Sequence, residues 1–312
     1  METEKTVGLV LGSGSSRGWA HVGAIEALEE AGIPIHVIAG CSVGSYVGAI
    51  YASGGLASLK QFILQMDGKK MFSYFDVILP RSGLLDGTKK LREFLSGHTD
   101  AETFDDLTVP LKMVATDLAS GDKVVLDSGD LFSALRATMS MPGLFAPTRV
   151  KGRWLVDGGL VDPVPVGVAR AMGADLVIAV DLNSGLVSRQ KRRSLVEKAP
   201  PKPAPPPEYS NELARKLSDY YASAESAFKQ KIRSFLKNDD PSPDIMETVS
   251  GAIGIMQERI TRINLAVEPA DILVQPRLGE MKMMDFGQVD KAIEEGYQGV
   301  KDHLEDIRMM LG

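Results

Sequence analysis

Apolar residues in this chain come either as short unbroken runs or as positions recurring every three or four residues. Thr6 to Leu11 is an unbroken run, and Ile35 to Ala39 is another; both read as buried strands. Between them, Trp19 to Ala31 sets Val22, Ile25 and Leu28 on one helical face, and Gly32-Ile33-Pro34 stops the helix. Val43 to Tyr51 reads as the next helix, and Leu56 to Met66 continues as helix. The opening stretch therefore predicts strand, loop, helix, strand, turn, helix, the pattern of a parallel sheet covered by helices.

Further on the pattern is more broken. Lys69 to Asp86 is irregular and carries Phe72, Tyr74 and Phe75, which suit packing under a loop or the rim of a site. Lys89 to Leu95 is a short helix. Leu111 to Thr116 and Lys123 to Leu126 read as strands of a hairpin joined by Ala119-Ser120-Gly121-Asp122. Leu131 to Met139 is helical, ended by Met141-Pro142-Gly143; Trp154 to Val156 is a strand, Val164 to Met172 a helix and Leu176 to Val180 a strongly apolar strand.

A change of composition follows. Ser188 to Ser210 holds Arg189, Lys191, Arg192 and Arg193, then Pro200, Pro201, Pro203, Pro205, Pro206 and Pro207, a segment of partly polyproline character. Its basic cluster fits a solvated linker or contact with anionic lipid headgroups. Glu212 to Lys237 reads as a polar helix. From about Ile245 to Leu265, a long helix repeats Ile245, Val249, Ile253, Met256, Ile260 and Ile263 in one apolar stripe. Ile272 to Val274 is a last strand, too short to form a sheet alone, and Val289 to Met310 a last helix. The expected organisation is a core over 1–187, a linker and polar helical insertion over 188–243, and a helix-strand-helix over 244–312 that returns to the core.

The totals narrow the function classes. With 312 residues, 44% hydrophobic and 24% charged, the chain can bury a sizeable core. A net charge of −6 offers no general basic field for nucleic acid. The one cysteine, Cys41, allows no internal disulfide and suits a reducing, cytoplasmic compartment. The run from Val7 to Leu11 is too short for a signal peptide, and no uncharged apolar stretch reaches the roughly 18 residues of a membrane span. A cytosolic protein that at most visits a membrane surface is expected.

Candidate chemistry starts at Gly40-Cys41-Ser42-Val43-Gly44, a G-x-S-x-G match at a strand-to-helix junction. There Ser42 would sit at the tip of a sharp, strained turn, with free N–H groups of the following helix behind it. The plain alternative is a junction rich in small residues. The loop Gly12-Ser13-Gly14-Ser15-Ser16-Arg17-Gly18 admits two readings. A dinucleotide fingerprint fails, since Arg17 stands where the third glycine belongs and no acid ends the second strand. The other reading is an anion-stabilising loop: the amides of Ser13, Gly14 and Ser15 would face the oxyanion of an acyl-transfer intermediate, worth about 3–4 kcal/mol per donor. Arg17 would add a fixed positive charge or anchor the loop.

A serine hydroxyl needs a base, and none of the four histidines is convincing. His98 and His303 lie in polar surroundings and read as solvent-facing, His36 starts the second strand at its far end, and His21 reads as packed or capping. A carboxylate can serve instead. Asp157 ends a strand at Gly158-Gly159, on the sheet edge that the Ser42 turn shares, and it reads equally as a turn residue or as a base. An ordinary aspartate has a pKa of about 4, which burial would raise. Asp162, before Pro163, reads as a helix N-cap; Asp117 and Asp181 read as structural.

In their order, the glycine-rich loop ending Arg17-Gly18, the Gly40-x-Ser42-x-Gly44 turn and Asp157-Gly158-Gly159 resemble the patatin-like phospholipase family. Ser140-Met141-Pro142-Gly143-Leu144-Phe145-Ala146-Pro147 resembles another of its blocks. The likeness covers Thr6 to Asp181 and again Pro243 to Gln275, within the bacterial branch related to the neuropathy target esterase catalytic domain. It implies a three-layer α/β/α fold with a largely parallel central sheet and a C-terminal helical extension. It also implies hydrolysis of acyl lipid esters by a Ser-Asp dyad without histidine. Ser42 would be nucleophile, Asp157 proton acceptor, and the Ser13, Gly14 and Ser15 amides the oxyanion hole. Many members have an unbroken glycine run where this chain has Ser13 and Ser15; serine keeps the N–H donors if the backbone adopts the same angles. No metal or organic cofactor is implied, there being no histidine-cysteine cluster for zinc. Met246, Met256, Met281, Met283 and Met284 read as core or as adaptable apolar surface for acyl chains. The alternative is a lipid-binding or regulatory protein that keeps the fold.

Overall fold

The computed structural model describes residues 5–65, 88–185, 245–281 and 285–312. The chain divides into two units, Met1–Arg192 with Val249–Gly312, and Arg193–Thr248. Nearly all of the second, with the basic and proline-rich stretch and the expected polar helix, lies outside the described residues, as do Phe72, Tyr74 and Phe75. The fold below is that of the first unit.

Its centre is an eight-stranded sheet. The unbroken apolar runs form its middle: β1 (Val7–Leu11) lies between β2 (Val37–Cys41) and β7 (Leu176–Val180), all parallel, and every residue of the three is buried. Strands buried on both faces need no polar alternation. β8 (Ile272–Val274) adds in parallel to β7, bringing the C-terminal region back to the core. On the other side β3 (Leu111–Asp117) pairs in parallel with β2, and the expected hairpin partner β4 (Lys123–Leu126) runs antiparallel to β3.

Side chains alternate between two cores. Leu9, Leu11, Ile38 and Ile178 point to one, Val10, Ala39, Val177 and Ala179 to the other. The larger core is covered by α1 (Ala20–Glu30), α2 (Val43–Ala52), α3 (Leu56–Leu64), α4 (Thr88–Ser96) and α5 (Leu131–Thr138). The smaller is covered by α6 (Val166–Ala171) and the end of α7 (Ile245–Val267). The result is the three-layer α/β/α arrangement expected. The last helical stretch is two helices, α8 (Val289–Lys301) and α9 (Leu304–Leu311), broken at Asp302-His303; α8 lies so close on α1 that a Cβ at Gly296 would come 1.8 Å from the Ala20 carbonyl.

One strand goes unannounced by the sequence and one expectation fails. β5 (Thr148–Val150), only three residues long, pairs with β6 (Arg153–Asp157) and carries no periodic signal to announce it. In α7 the expected apolar stripe splits: Val249 is 38% exposed, Met256 50% and Ile263 64%, and of its members only Ile253 is buried among the described side chains. The face turned inward carries Ile253, Gln257 and Thr261, one turn apart. Of the methionines read as core or apolar surface, Met281 is buried, Met256 is exposed, and Met283 and Met284 lie outside the described residues.

One feature of register builds the site. β4 covers one edge of β3 from Met113 to Thr116. β2, pairing up to Cys41 opposite Val114, and β6, pairing from Asp157 opposite Ala115, must therefore share the other edge. β2 runs parallel to β3 and β6 antiparallel, so their C-terminal ends meet head to head.

Candidate active site

Ser42 is the residue between β2 and α2, with φ 55 and ψ −123. A non-glycine residue in this region stores about 1–3 kcal/mol of strain, held only if the surroundings force it. They do. A Cβ at Gly44 would stand 2.0 Å from the Leu11 carbonyl oxygen, so only glycine lets α2 start this close to the end of β1. The Ser42 N–H donates to Thr138 Oγ1 at 2.9 Å, and Thr138 Oγ1 donates onward to the Val114 carbonyl. The following amides open α2 and have no partner within the helix.

Asp157 arrives from the facing strand end. Its Oδ2 accepts from Ser42 Oγ at 2.6 Å, and its Oδ1 accepts from the Gly159 N–H at 2.8 Å. Its own N–H donates to the Ser140 carbonyl at 2.9 Å, and its carbonyl accepts from Thr116 Oγ1 at 2.9 Å. The carboxyl is 1% exposed. Burial pushes its pKa from 3.8 up to about 6, against the bonds from Ser42 and Gly159, which favour the charged form. A Cβ at Gly158 would fall 2.2 Å from the Val114 carbonyl, and one at Gly159 2.2 Å from Gln257 Nε2. Backbone contact requires glycine at 158, whereas at 159 the near atom is the tip of the Gln257 side chain.

The first loop sits beside this pair, and its parts differ from expectation. The Ser13 amide is committed: it donates to the Pro163 carbonyl at 2.9 Å, while Asn183 Nδ2 holds the Ser13 carbonyl and hydroxyl. The Gly14 amide has no partner among the described residues. Ser15 adopts φ 52, the positive angle a glycine would take there, and lines the cleft next to Ser42. Arg17 is an anchor. It is 1% exposed, with Nε donating to the Gly14 carbonyl at 3.2 Å and a terminal nitrogen to the Leu182 carbonyl at 3.3 Å. Burial draws its pKa down to about 10, and the Asp181 charge opposes that.

The rival groups are accounted for. His21 Nε2 bonds the Gly12 carbonyl at 2.7 Å, and full burial lowers its pKa to about 4, so it is a neutral packed histidine. His98 is not solvent-facing: it lies edge-on to Phe62 and Phe94 and bonds Ser58. His36 Nδ1 accepts the Val7 N–H, away from Ser42. Asp162 is no N-cap, since α6 starts only at Val166; it takes an ion pair from Lys123 at 3.0 Å and a bond from Asn264. Asp117 holds Arg153 and its own hairpin turn, and Asp181 bonds Asn183 and Gln275.

A cleft opens over Ser42, enclosing about 760 Å³ with its mouth included. Trp19, Val43, Tyr46, Phe94, Met141 and Phe145 form much of its wall. The block from Ser140 to Pro147 thus does two jobs, receiving the Asp157 N–H and supplying apolar wall. Sequence reasoning missed Thr138, which fixes the Ser42 backbone, and Gln257, packed on Gly159. Thr138 stands two residues before that block, and Gln257 was hidden on the polar face of α7.

A hydroxyl hydrogen-bonded to a buried carboxylate thus stands at strand ends beside an apolar cleft. A family model described as Patatin-like phospholipase matches residues 9–170, just over half of the chain. The chain belongs to the patatin-like phospholipase family and is a lipid ester hydrolase. An uncharacterized NTE family protein of Mycobacterium tuberculosis is 29% identical over 331 residues, covering 93% of this chain and 89% of that protein. Patatin-like phospholipase domain-containing protein 6 of Homo sapiens is 35% identical over 188 residues, 58% of this chain and 14% of its own length. Lysophospholipase NTE1 of Pyricularia oryzae is 27% identical over 311 residues, 97% of this chain and 19% of its own. Among the described residues, no helix is long and apolar enough to cross a membrane.

Proposed function

We propose that the chain hydrolyses acyl esters of phospholipids or lysophospholipids through Ser42 as nucleophile and Asp157 as sole proton acceptor. The 2.6 Å hydrogen bond from Ser42 Oγ to Asp157 Oδ2 carries this reading. Ser42 Oγ attacks the ester carbonyl while its proton passes to Asp157. The oxyanion so formed meets the amides of Gly14 and Ser15 and the first turn of α2. Collapse expels the alcohol, which leaves with the proton from Asp157. Water then gives a proton to Asp157 and attacks the acyl-serine, releasing the fatty acid and restoring the Ser42 hydroxyl. A carboxylate base is weaker than imidazole, and the raised pKa of Asp157 brings it nearer working pH. Esters, with good leaving groups, suit it better than amides.

Peripheral contact with a lipid surface belongs to the same proposal. It is supported by the outward apolar face of α7 at Val249, Met256 and Ile263. Cytoplasmic location is proposed on the single cysteine, Cys41. The test is fatty-acid release from lysophosphatidylcholine and from short acyl esters by the parent and Ser42→Ala. Release by the parent alone supports the reading; equal release by both, or none by either, overturns it.

A further inference from the structure

The cleft over Ser42 is apolar, yet two of its wall residues carry buried polar atoms that have no partner among the described residues. Among the described residues, the hydroxyl of Tyr46, 2% exposed, has no hydrogen-bond partner, and Nε1 of Trp19, 4% exposed, has none either. Both residues line the cleft. Tyr46 follows Ser42 by one turn of α2, with its N–H on the Ser42 carbonyl at 3.2 Å. Its ring stacks on Phe94 at 5.4 Å between centroids, so the hydroxyl is held in place. Burial keeps that hydroxyl neutral and able to donate.

An unpaired buried hydroxyl is destabilising, and the large majority of buried side-chain polar groups are paired. Phenylalanine at position 46 would fill the same space without that cost. Two donors lining one cleft with Ser42, neither paired among the described residues, mark a place where the partner comes with the substrate. Trp19 Nε1 can only donate, so the partner must accept.

We propose that the cleft takes a substrate bearing an oxygen acceptor several atoms from the scissile carbonyl, held by Tyr46 Oη and Trp19 Nε1. This rests on the ester-hydrolase reading and names its substrate class. Position 46 is roughly 6 Å along α2 from position 42, one helical turn from the nucleophile. An acceptor for it is therefore set apart from the carbon next to the carbonyl. It is either a hydroxyl or keto oxygen on the acyl chain, or the second ester of a diacyl lipid.

The experiment compares kcat/KM for decanoate esters with those of the positional hydroxy- and oxo-decanoates on one common alcohol. A second arm compares monoacyl with diacyl glycerolipid of the same chain. Parent, Tyr46→Phe and Trp19→Phe are assayed, with thermal unfolding to verify folding. At least one oxygenated isomer, or the diester, is preferred roughly three- to ten-fold by the parent, and the preference collapses toward parity in Tyr46→Phe. Which arm shows it assigns the acceptor to the chain or to the neighbouring ester. If the parent cleaves plain decanoate and the monoester as well as every alternative, or if the preference survives both variants, the inference is overturned while the hydrolase reading stands. If no ester is cleaved, both fall.

Discussion

Asp157→Asn should raise stability while abolishing activity. The carboxyl is fully buried, and its pKa rises from 3.8 to about 6 in the folded protein. That difference corresponds to roughly 3 kcal/mol of cost for holding the charge inside at neutral pH. The sign follows from proton binding. Below about pH 4 the carboxyl is protonated in folded and unfolded chains alike, and the cost is absent. As pH rises through 6 the folded protein must carry the buried charge, and stability is lost. Asparagine never carries it. Ser42 Oγ can turn to accept from the new amide, while the Gly159 N–H keeps an oxygen; imperfect repairing gives back about 1 kcal/mol. The variant should therefore gain about 1–3 kcal/mol at pH 8, or roughly 3–10 °C in Tm, with the gain shrinking toward zero at pH 4. Ester hydrolysis should fall at least about 100-fold, and the parent's kcat/KM should decline along an acidic limb as pH drops through about 6. Calorimetry and initial rates across pH measure both. A variant less stable than the parent at pH 8, a gap that does not narrow on acidification, or activity above a tenth of the parent's would refute the reasoning.

Other substitutions probe separate supports. Gly44→Ala drives a methyl to 2.0 Å from the Leu11 carbonyl and should cost more than about 3 kcal/mol, read as lost soluble yield or a much lower Tm. Thr138→Val removes the acceptor of the Ser42 N–H, and should cost about 1–3 kcal/mol in urea unfolding with a lower kcat; an unchanged kcat means that bond does not hold the turn. Ile263→Asp, at a position 64% exposed, should change stability by less than about 0.5 kcal/mol, while Ile253→Asp, 8% exposed, should cost several times more. Equal effects would mean that the Ile263 face of α7 packs as firmly as the Ile253 face.

The sheet was legible because its central strands are unbroken apolar runs, which helices on both faces demand. Ser42 and Asp157 were legible as candidates because each ends a strand beside glycines that mark close approach. Their contact was not, since it depends on β2 and β6 sharing one edge of β3, a matter of register between strands far apart in the chain. Donor assignment in the first loop was illegible for a like reason: the Ser13 amide is taken by Pro163, 150 residues away in the sequence numbering. Arg17 read equally as charge or anchor, and the carbonyls of Gly14 and Leu182 decide for anchor. α7 misled because its apolar period was real but its neighbour is the Gly158-Gly159 turn, where glycine leaves room for Gln257.

The central claim is that Ser42 is an activated nucleophile beside donors able to stabilise an oxyanion. Intact mass after exposure to a fluorophosphonate probe tests it most directly. One adduct on the parent and none on Ser42→Ala is the predicted result. An unmodified parent, with and without detergent micelles, or an adduct that persists on Ser42→Ala, would contradict it.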